Sequence, residues 1–255
     1  ASGGNYNTVV GDEAGTAIST GDNNVAVGYN ALATNSTAST NIAVGYQAAY
    51  SNATGVGLTA FGANTLYATT ASDNCGIGTD NPGNYAAALE SNTTGRFNTA
   101  VATGALGSNT EGQNNTALGH SALAADTLGS RNTAIGVFSL DAQNFSSATN
   151  SNNTALGYAS GSAVTTGIDN TLLGSRSGMA LTDADYNTAV GYNALTADTK
   201  GSKSIAVGTN ALYAQNFTSA TDSNNVAVGY SAGVAVTTGV NNTIIGGLAG
   251  DAMTT

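Results

Sequence analysis

The chain has 255 residues, fifteen acidic and five basic, with 8% charged residues in all against roughly 25% in an average soluble domain. Five cations cannot make a nucleic-acid footprint or hold an anionic membrane surface, and no apolar run approaches the ~18 residues of a membrane span. One cysteine excludes an internal disulfide framework and a Cys-cluster zinc site. With 34 glycines, one proline and no tryptophan, and Ala, Thr, Asn and Ser dominant, the composition points to repetition, not to a mixed α/β enzyme.

Taken in chain order, one unit recurs: Asn, then Thr/Val/Ile, usually Ala, then Val/Ile/Leu, then Gly. Its closing residue is Gly11, Gly28, Gly45, Gly62 and Gly78, at steps of 17 or 16. A long insertion from Asp80 to Phe97 then stretches the step to Ala102 to 24. Gly119, Gly136, Gly157, Gly174, Gly191, Gly208, Gly229 and Gly246 complete the fourteen copies, with 21-residue steps before Gly157 and Gly229. A fixed period with insertions is the pattern of a solenoid whose extra residues bulge as loops. Ala142-Gln143-Asn144-Phe145 recurs 72 residues on as Ala214-Gln215-Asn216-Phe217, so blocks of about 111–182 and 183–254 are tandem duplicates. The reading is a single all-β domain over 1–255, a parallel β-roll or β-solenoid of about fourteen ~17-residue rungs.

Each position in the unit has a physical reading. In Asn187-Thr188-Ala189-Val190-Gly191, alternation puts Thr188 and Val190 on one face of a short strand and Ala189 on the other. Neither face is charged in any copy, and a strand apolar on both sides is normally covered on both sides. A single coil has one inside, so the second face predicts an oligomer. Gly at the closing position permits positive φ. The Asn before the strand can bond along the ladder and satisfy turn backbone; a ligand-binding Asn row is the alternative. Leu32, Leu106, Leu123, Leu195 and Leu212 are predicted to fill the coil, and the Ser/Thr/Asn-rich remainder to form an exposed turn and a weak outer strand. Helical periodicity is absent outside Tyr85 to Glu90. No signal peptide opens the chain, which reads as a mature fragment.

The units Asn24–Leu32, Asn115–Leu123 and Asn187–Leu195 resemble the head repeats of trimeric autotransporter adhesins and, more strongly, the Asn-Thr-Ala-Val-Gly-Tyr-x-Ala-Leu arrays of phage tail-fibre and tail-spike proteins. Cys75 to Gly83 is similar to the Gly-Ile-Gly-Thr-x-x-Pro junction of such fibres. The resemblance implies a left-handed parallel roll, an intertwined or side-by-side homotrimer, association with other fibre or virion proteins, and extracellular attachment to a host or cell surface. The 17-residue period exceeds the usual adhesin head rung.

Little here reads as reaction chemistry. His120, the only histidine, fills a slot held by Tyr29 and Tyr192 and has no partners for a metal site or triad. Cys75 sits at the Thr188-equivalent position and reads as a small buried apolar group. Asp183 with Asp185, and Asp12 with Glu13, are the carboxylate pairs a fibre-borne glycosidase would need, but they lie in turns and read as solvated charges. Thr99, Thr116, Thr133, Thr154, Thr171 and Thr188 form a row that an ice-binding face would want; interchange of that slot with Val25, Ile42 and Val226 favours burial instead, each hydroxyl bonded to a neighbouring rung.

The sequence reading is therefore a structural fibre protein, not an enzyme, with no cofactor or metal. It mediates attachment as a tail fibre or spike, with an adhesin head and a polysaccharide-degrading enzyme as alternatives. It implies no nucleic-acid partner and no membrane insertion of this segment. A uniform solenoid face predicts that specificity resides where the period breaks. Candidate contacts to a surface receptor, a glycan being one option, are Tyr85, Arg96 and Phe97 in the long insertion, and Phe145, Tyr213 and Phe217 around the duplicated insertions at Asp141–Asn150 and Tyr213–Asp222. The competing expectation is that each Phe tucks back over the edge of the roll.

Overall fold

The computed structural model describes residues 4–81 and 85–255; the Pro82-Gly83 end of the fibre-like junction lies outside them. The described chain is all-β with no helix, a parallel β-solenoid of about fourteen turns of roughly 17 residues. It divides into two compact units, residues 1–130 with 146–148, and residues 131–145 with 149–255.

In the first unit, β1 (Thr8–Val10), β2 (Val25–Val27), β3 (Ile42–Val44), β4 (Thr59–Phe61), β5 (Cys75–Ile77), β6 (Thr99–Val101) and β7 (Thr116–Leu118) pair in parallel and in register. A two-residue strand, β8 (Gly129–Ser130), follows. In the second unit the strands are β9 (Thr133–Ile135), β10 (Thr149–Asn150), β11 (Thr154–Leu156), β12 (Thr171–Leu173), β13 (Thr188–Val190), β14 (Gly201–Ser202), β15 (Ile205–Val207), β16 (Thr221–Asp222), β17 (Val226–Val228) and β18 (Thr243–Ile245). There β9, β11, β12, β13, β15, β17 and β18 make the main parallel ladder, and β14 pairs with β16 beside it.

The middle residue of each main strand faces inward. Ala26, Ala43, Ala60, Ala100 and Ala117 in the first unit, and Ala134, Ala155, Ala189, Ala206 and Ala227 in the second, are fully buried. The interior is narrow, so a methyl group is the usual fit there. The rest of the core comes from the turn side in one of two ways. Half of the rungs place Leu four residues after the closing residue, as at Leu32, Leu66, Leu106 and Leu195, all fully buried. Others place Gly there and bring the apolar group in three residues later: Gly161 with Val164, Gly178 with Leu181, Gly233 with Val236. The exchange is steric, since a Cβ on Gly178 would lie 2.7 Å from Leu172 Cδ2 and 2.8 Å from Leu181 Cδ1.

The expected weak outer strand forms only as the two-residue β8, β10, β14 and β16; elsewhere the turn side is held without one. Asn30 and Leu32 have φ of 56° and 50°, left-handed values at two non-glycine positions of one turn. Asn30 N–H bonds back to Asp12 O (3.1 Å) and Leu32 N–H bonds forward to Ala48 O (3.1 Å). Ala31 and Ala33 close local turns on Gly28 and Asn30. The backbone groups are thus paired with both neighbouring turns without a strand, and stacking repays the local conformational cost. Tyr85 to Glu90 is not helical; Ala87 to Asn92 is this same turn, with Leu89 at φ 53° and its N–H on Ala105 O.

Candidate functional site

The outward face of the main strands carries the first and third residues of each triplet. Phe61, Ile77 and Leu118 in the first unit, and Leu156, Val228 and Ile245 in the second, are exposed. The Thr row lies on this same face. Thr99 and Thr116 in the first unit are exposed, and Thr133, Thr154, Thr171 and Thr188 in the second are half-buried. None of these hydroxyls bonds to a neighbouring rung among the described residues, which corrects the expectation of cross-bonded threonines. Cys75 is corrected likewise: it faces outward from β5 and is half-buried, and burial pushes its thiol pKa up, which lowers its reactivity.

The Asn row is structural in geometry. Asn24 Oδ1 accepts the backbone N–H of Asn41 at 3.0 Å, and Asn24 Nδ2 donates to Ala38 O at 2.9 Å. The same two bonds recur at Asn41, Asn98, Asn153 and Asn187. These amides are spent on the coil and offer nothing outward.

The insertions reorganise the candidate contacts. The extra residues of the Asp80–Phe97 segment precede Ala87, so Arg96 and Phe97 belong to a regular rung, Phe97 standing just before Asn98 as Tyr186 stands before Asn187. Phe97 is 54% exposed, with the Arg96 guanidinium 5.7 Å from its ring centre. Arg96 also meets Asp73 at 3.7 Å. Tyr85 is exposed and packs edge-on against His120 at 4.3 Å, so histidine in the Tyr slot is held by a ring from the insertion. Phe145 and Phe217 are each 6% exposed. They tuck under their loops and present no ring to a receptor, because a benzyl group gains more by covering the coil than by facing water.

Beneath Phe217 lies a buried polar cluster absent from the sequence reading. Asp198 is fully buried. Its carboxylate accepts Gly201 N–H (3.0 Å), Phe217 N–H (3.1 Å) and Gln215 Nε2 (2.6 Å). Gln215 donates also to Ser204 Oγ, and its Oε1 accepts Asn225 Nδ2 at 2.8 Å. Asp126 is likewise buried, accepting Gly129 N–H at 2.9 Å. Both aspartates occupy the slot of Asn35, Asn52, Asn92 and Asn109 in other rungs, a signal that could have placed them inside. The carboxylate pair Asp183 and Asp185 is engaged: Asp183 meets Lys200 at 3.5 Å, and Asp185 Oδ1 accepts Ile168 N–H at 2.8 Å.

Two surface grooves contain candidate residues. One, in the first unit, holds about 270 Å³ and is lined by Thr54, Thr70, Ser72, Thr94 and Arg96. The other, in the second unit, holds about 320 Å³ and is lined by Tyr213, Arg176, Met179, Asn193 and Thr196, with two alanines. Met179, Thr196 and Tyr213 hold the same turn position in three successive rungs. The short Thr196 between two long side chains leaves the notch. Of its residues only Tyr213 was anticipated. The chain matches no protein-family model, no curated protein and no solved structure.

Proposed function

We propose that this chain is a structural segment of an extracellular fibre that attaches to a host or cell surface, of the phage tail-fibre or tail-spike kind, and that it works as a homotrimer. The observation that supports this is the outward strand face, a charge-free ladder of Val, Leu, Ile, Phe and Thr left partly exposed along each unit. Monomeric proteins rarely leave a large contiguous apolar patch open, and the in-register repeat suits a copy of itself. The grooves at Arg96 and Tyr213 lie off that face's strand residues and supply the attachment chemistry. The test is a solution mass of the wild-type chain together with adsorption to a candidate host surface. A monomer that adsorbs to nothing defeats the reading.

A second reading rests on the outward Thr row. Hydroxyls and methyls at the ~4.8 Å strand spacing, with no rung-to-rung bonds, suit an ordered lattice such as ice. Thermal hysteresis of a dilute solution tests it, and its absence removes that reading.

A further inference from the structure

We infer that the groove at Tyr213 in the second unit is a binding site for a single carboxylate-bearing sugar, a uronic or sialic acid residue of a surface polysaccharide; this rests on the attachment reading and names its ligand. The groove combines what such a ligand needs. Arg176 is exposed and makes no ion pair among the described residues, so its fork is open to a carboxylate. Tyr213, 43% exposed, offers an apolar wall for a sugar's C–H face. Asn193 stands beside them, and Thr196, 8% exposed, has a hydroxyl with no partner. A buried hydroxyl without a partner is costly, and this one belongs to a residue that lines the groove. The volume, about 320 Å³, lies at the small end of the ~300–1,000 Å³ range of ligand sites and suits one sugar unit.

The internal duplication supplies the control. In the earlier block Asn193 is matched by Ser121, Thr196 by Ala124 and Tyr213 by Asp141, while Arg176 itself lies in the earlier block and its turn position four rungs before is held by Gly104. Arg176, Thr196 and Tyr213 thus differ from those counterparts, whereas Asn193 shares its turn position with Asn30, Asn64 and Asn210. The chain's net charge of −10 does not oppose a single carboxylate at contact, since distant charges are screened within ~8 Å at physiological salt.

The experiment titrates the full chain with glucuronate, galacturonate and N-acetylneuraminate, and with the methyl esters of the same sugars, by saturation-transfer NMR. The expected result is that at least one acid binds, its ester at least about tenfold more weakly. Arg176→Gly, the residue Gly104 provides at the same turn position, and Tyr213→Asp, the residue of the duplicate copy, should each weaken the acid about tenfold with unchanged circular dichroism. Arg176 has φ 59° and Gly104 φ 79°, so glycine fits the backbone there. Esters binding as well as acids, Arg176→Gly binding as well as wild type, or no acid binding would overturn the inference. Surface adsorption is read in parallel. Adsorption without acid binding overturns this inference and leaves attachment standing; acid binding without adsorption supports the groove and overturns attachment.

Discussion

Asn170 Oδ1 accepts the backbone N–H of Asn187, one rung on, at 3.0 Å, while Asn170 Nδ2 donates to Ala184 O at 2.8 Å. One side chain thus satisfies a donor in the next strand's approach and an acceptor in the turn before it, both away from water. Asn170→Ala leaves each unpaired, at about 1–3 kcal/mol per group. Urea unfolding should show a loss of about 2–6 kcal/mol. A loss under about 1 kcal/mol would mean that water replaces the amide, and that the ladder is not a source of stability.

The closing glycines make a second stack. Gly45 has φ 138°, and a Cβ there would lie 2.6 Å from both the carbonyl carbon and the oxygen of Gly62. The obstacle is backbone, which cannot swing aside. Gly45→Ala should cost at least about 3 kcal/mol, combining left-half φ strain, on the order of 1–3 kcal/mol, with the displaced rung. Gly247→Ala is the control, its nearest atom being 4.0 Å away with no positive φ; it should melt within a degree or two of wild type. Equal melting temperatures for both variants would show that the rungs slide apart freely.

The period, the buried Ala and Leu, the Asn ladder and the glycine stack were all legible, because each is a repeated residue with one physical role. The turn side was not. Leu32 at φ 50° opposes its own preference, and its N–H bond to Ala48 O in the next turn helps to hold it there, a relation no single rung displays. Pattern also misjudged the Thr hydroxyls: exchange of Thr133-type residues with Val226 suggests bonds between rungs, whereas a half-open face of a ladder accepts either side chain without them. Thr196 was invisible for a related reason. A notch is a difference between neighbours, Met179 and Tyr213, and a consensus erases differences.

Asp185 carries a pH dependence. Burial pushes its carboxyl above the usual range; the hydrogen bond from Ile168 pulls it down, and the charges of Asp183 and Asp169 push it further up. A folded pKa above the unfolded value means that the folded state binds the proton more tightly, so ionisation at neutral pH costs stability. The penalty is relieved as pH falls through the folded value toward the unfolded ~3.9. Asp185→Ser retains an acceptor for Ile168, as Ser39 Oγ accepts Asp22 N–H at 2.9 Å. It should be slightly more stable than wild type at pH 7, by a small amount because the group is largely solvated and screened. The gain should shrink below pH 4. A gain unchanged between pH 7 and pH 3 would show that charge is not its cause.

Ala189 and Val190 are adjacent in β13 and point to opposite sides. Ala189 is fully buried, in register with Leu172 and Ala206; Val190 is half-buried on the outward face, in register with Leu173 and Val207. Aspartate at either position therefore tests a different interface. Ala189→Asp puts a charge with no partner into the coil, and the cost of burying it is several kcal/mol at least, a large part of the ~5–15 kcal/mol that holds a domain. That variant should be unfolded by circular dichroism or strongly destabilised. Val190→Asp leaves its charge in water within one chain and should fold with strand content unchanged. In a trimer joined through the outward face the same charge would be buried, so sedimentation should find Val190→Asp as a folded monomer where wild type is a trimer. Wild type sedimenting as a monomer would remove the trimer from the proposed function. A Val190→Asp variant that stays trimeric would move the interface off the strand face, leaving the exposed aliphatic ladder open to another partner.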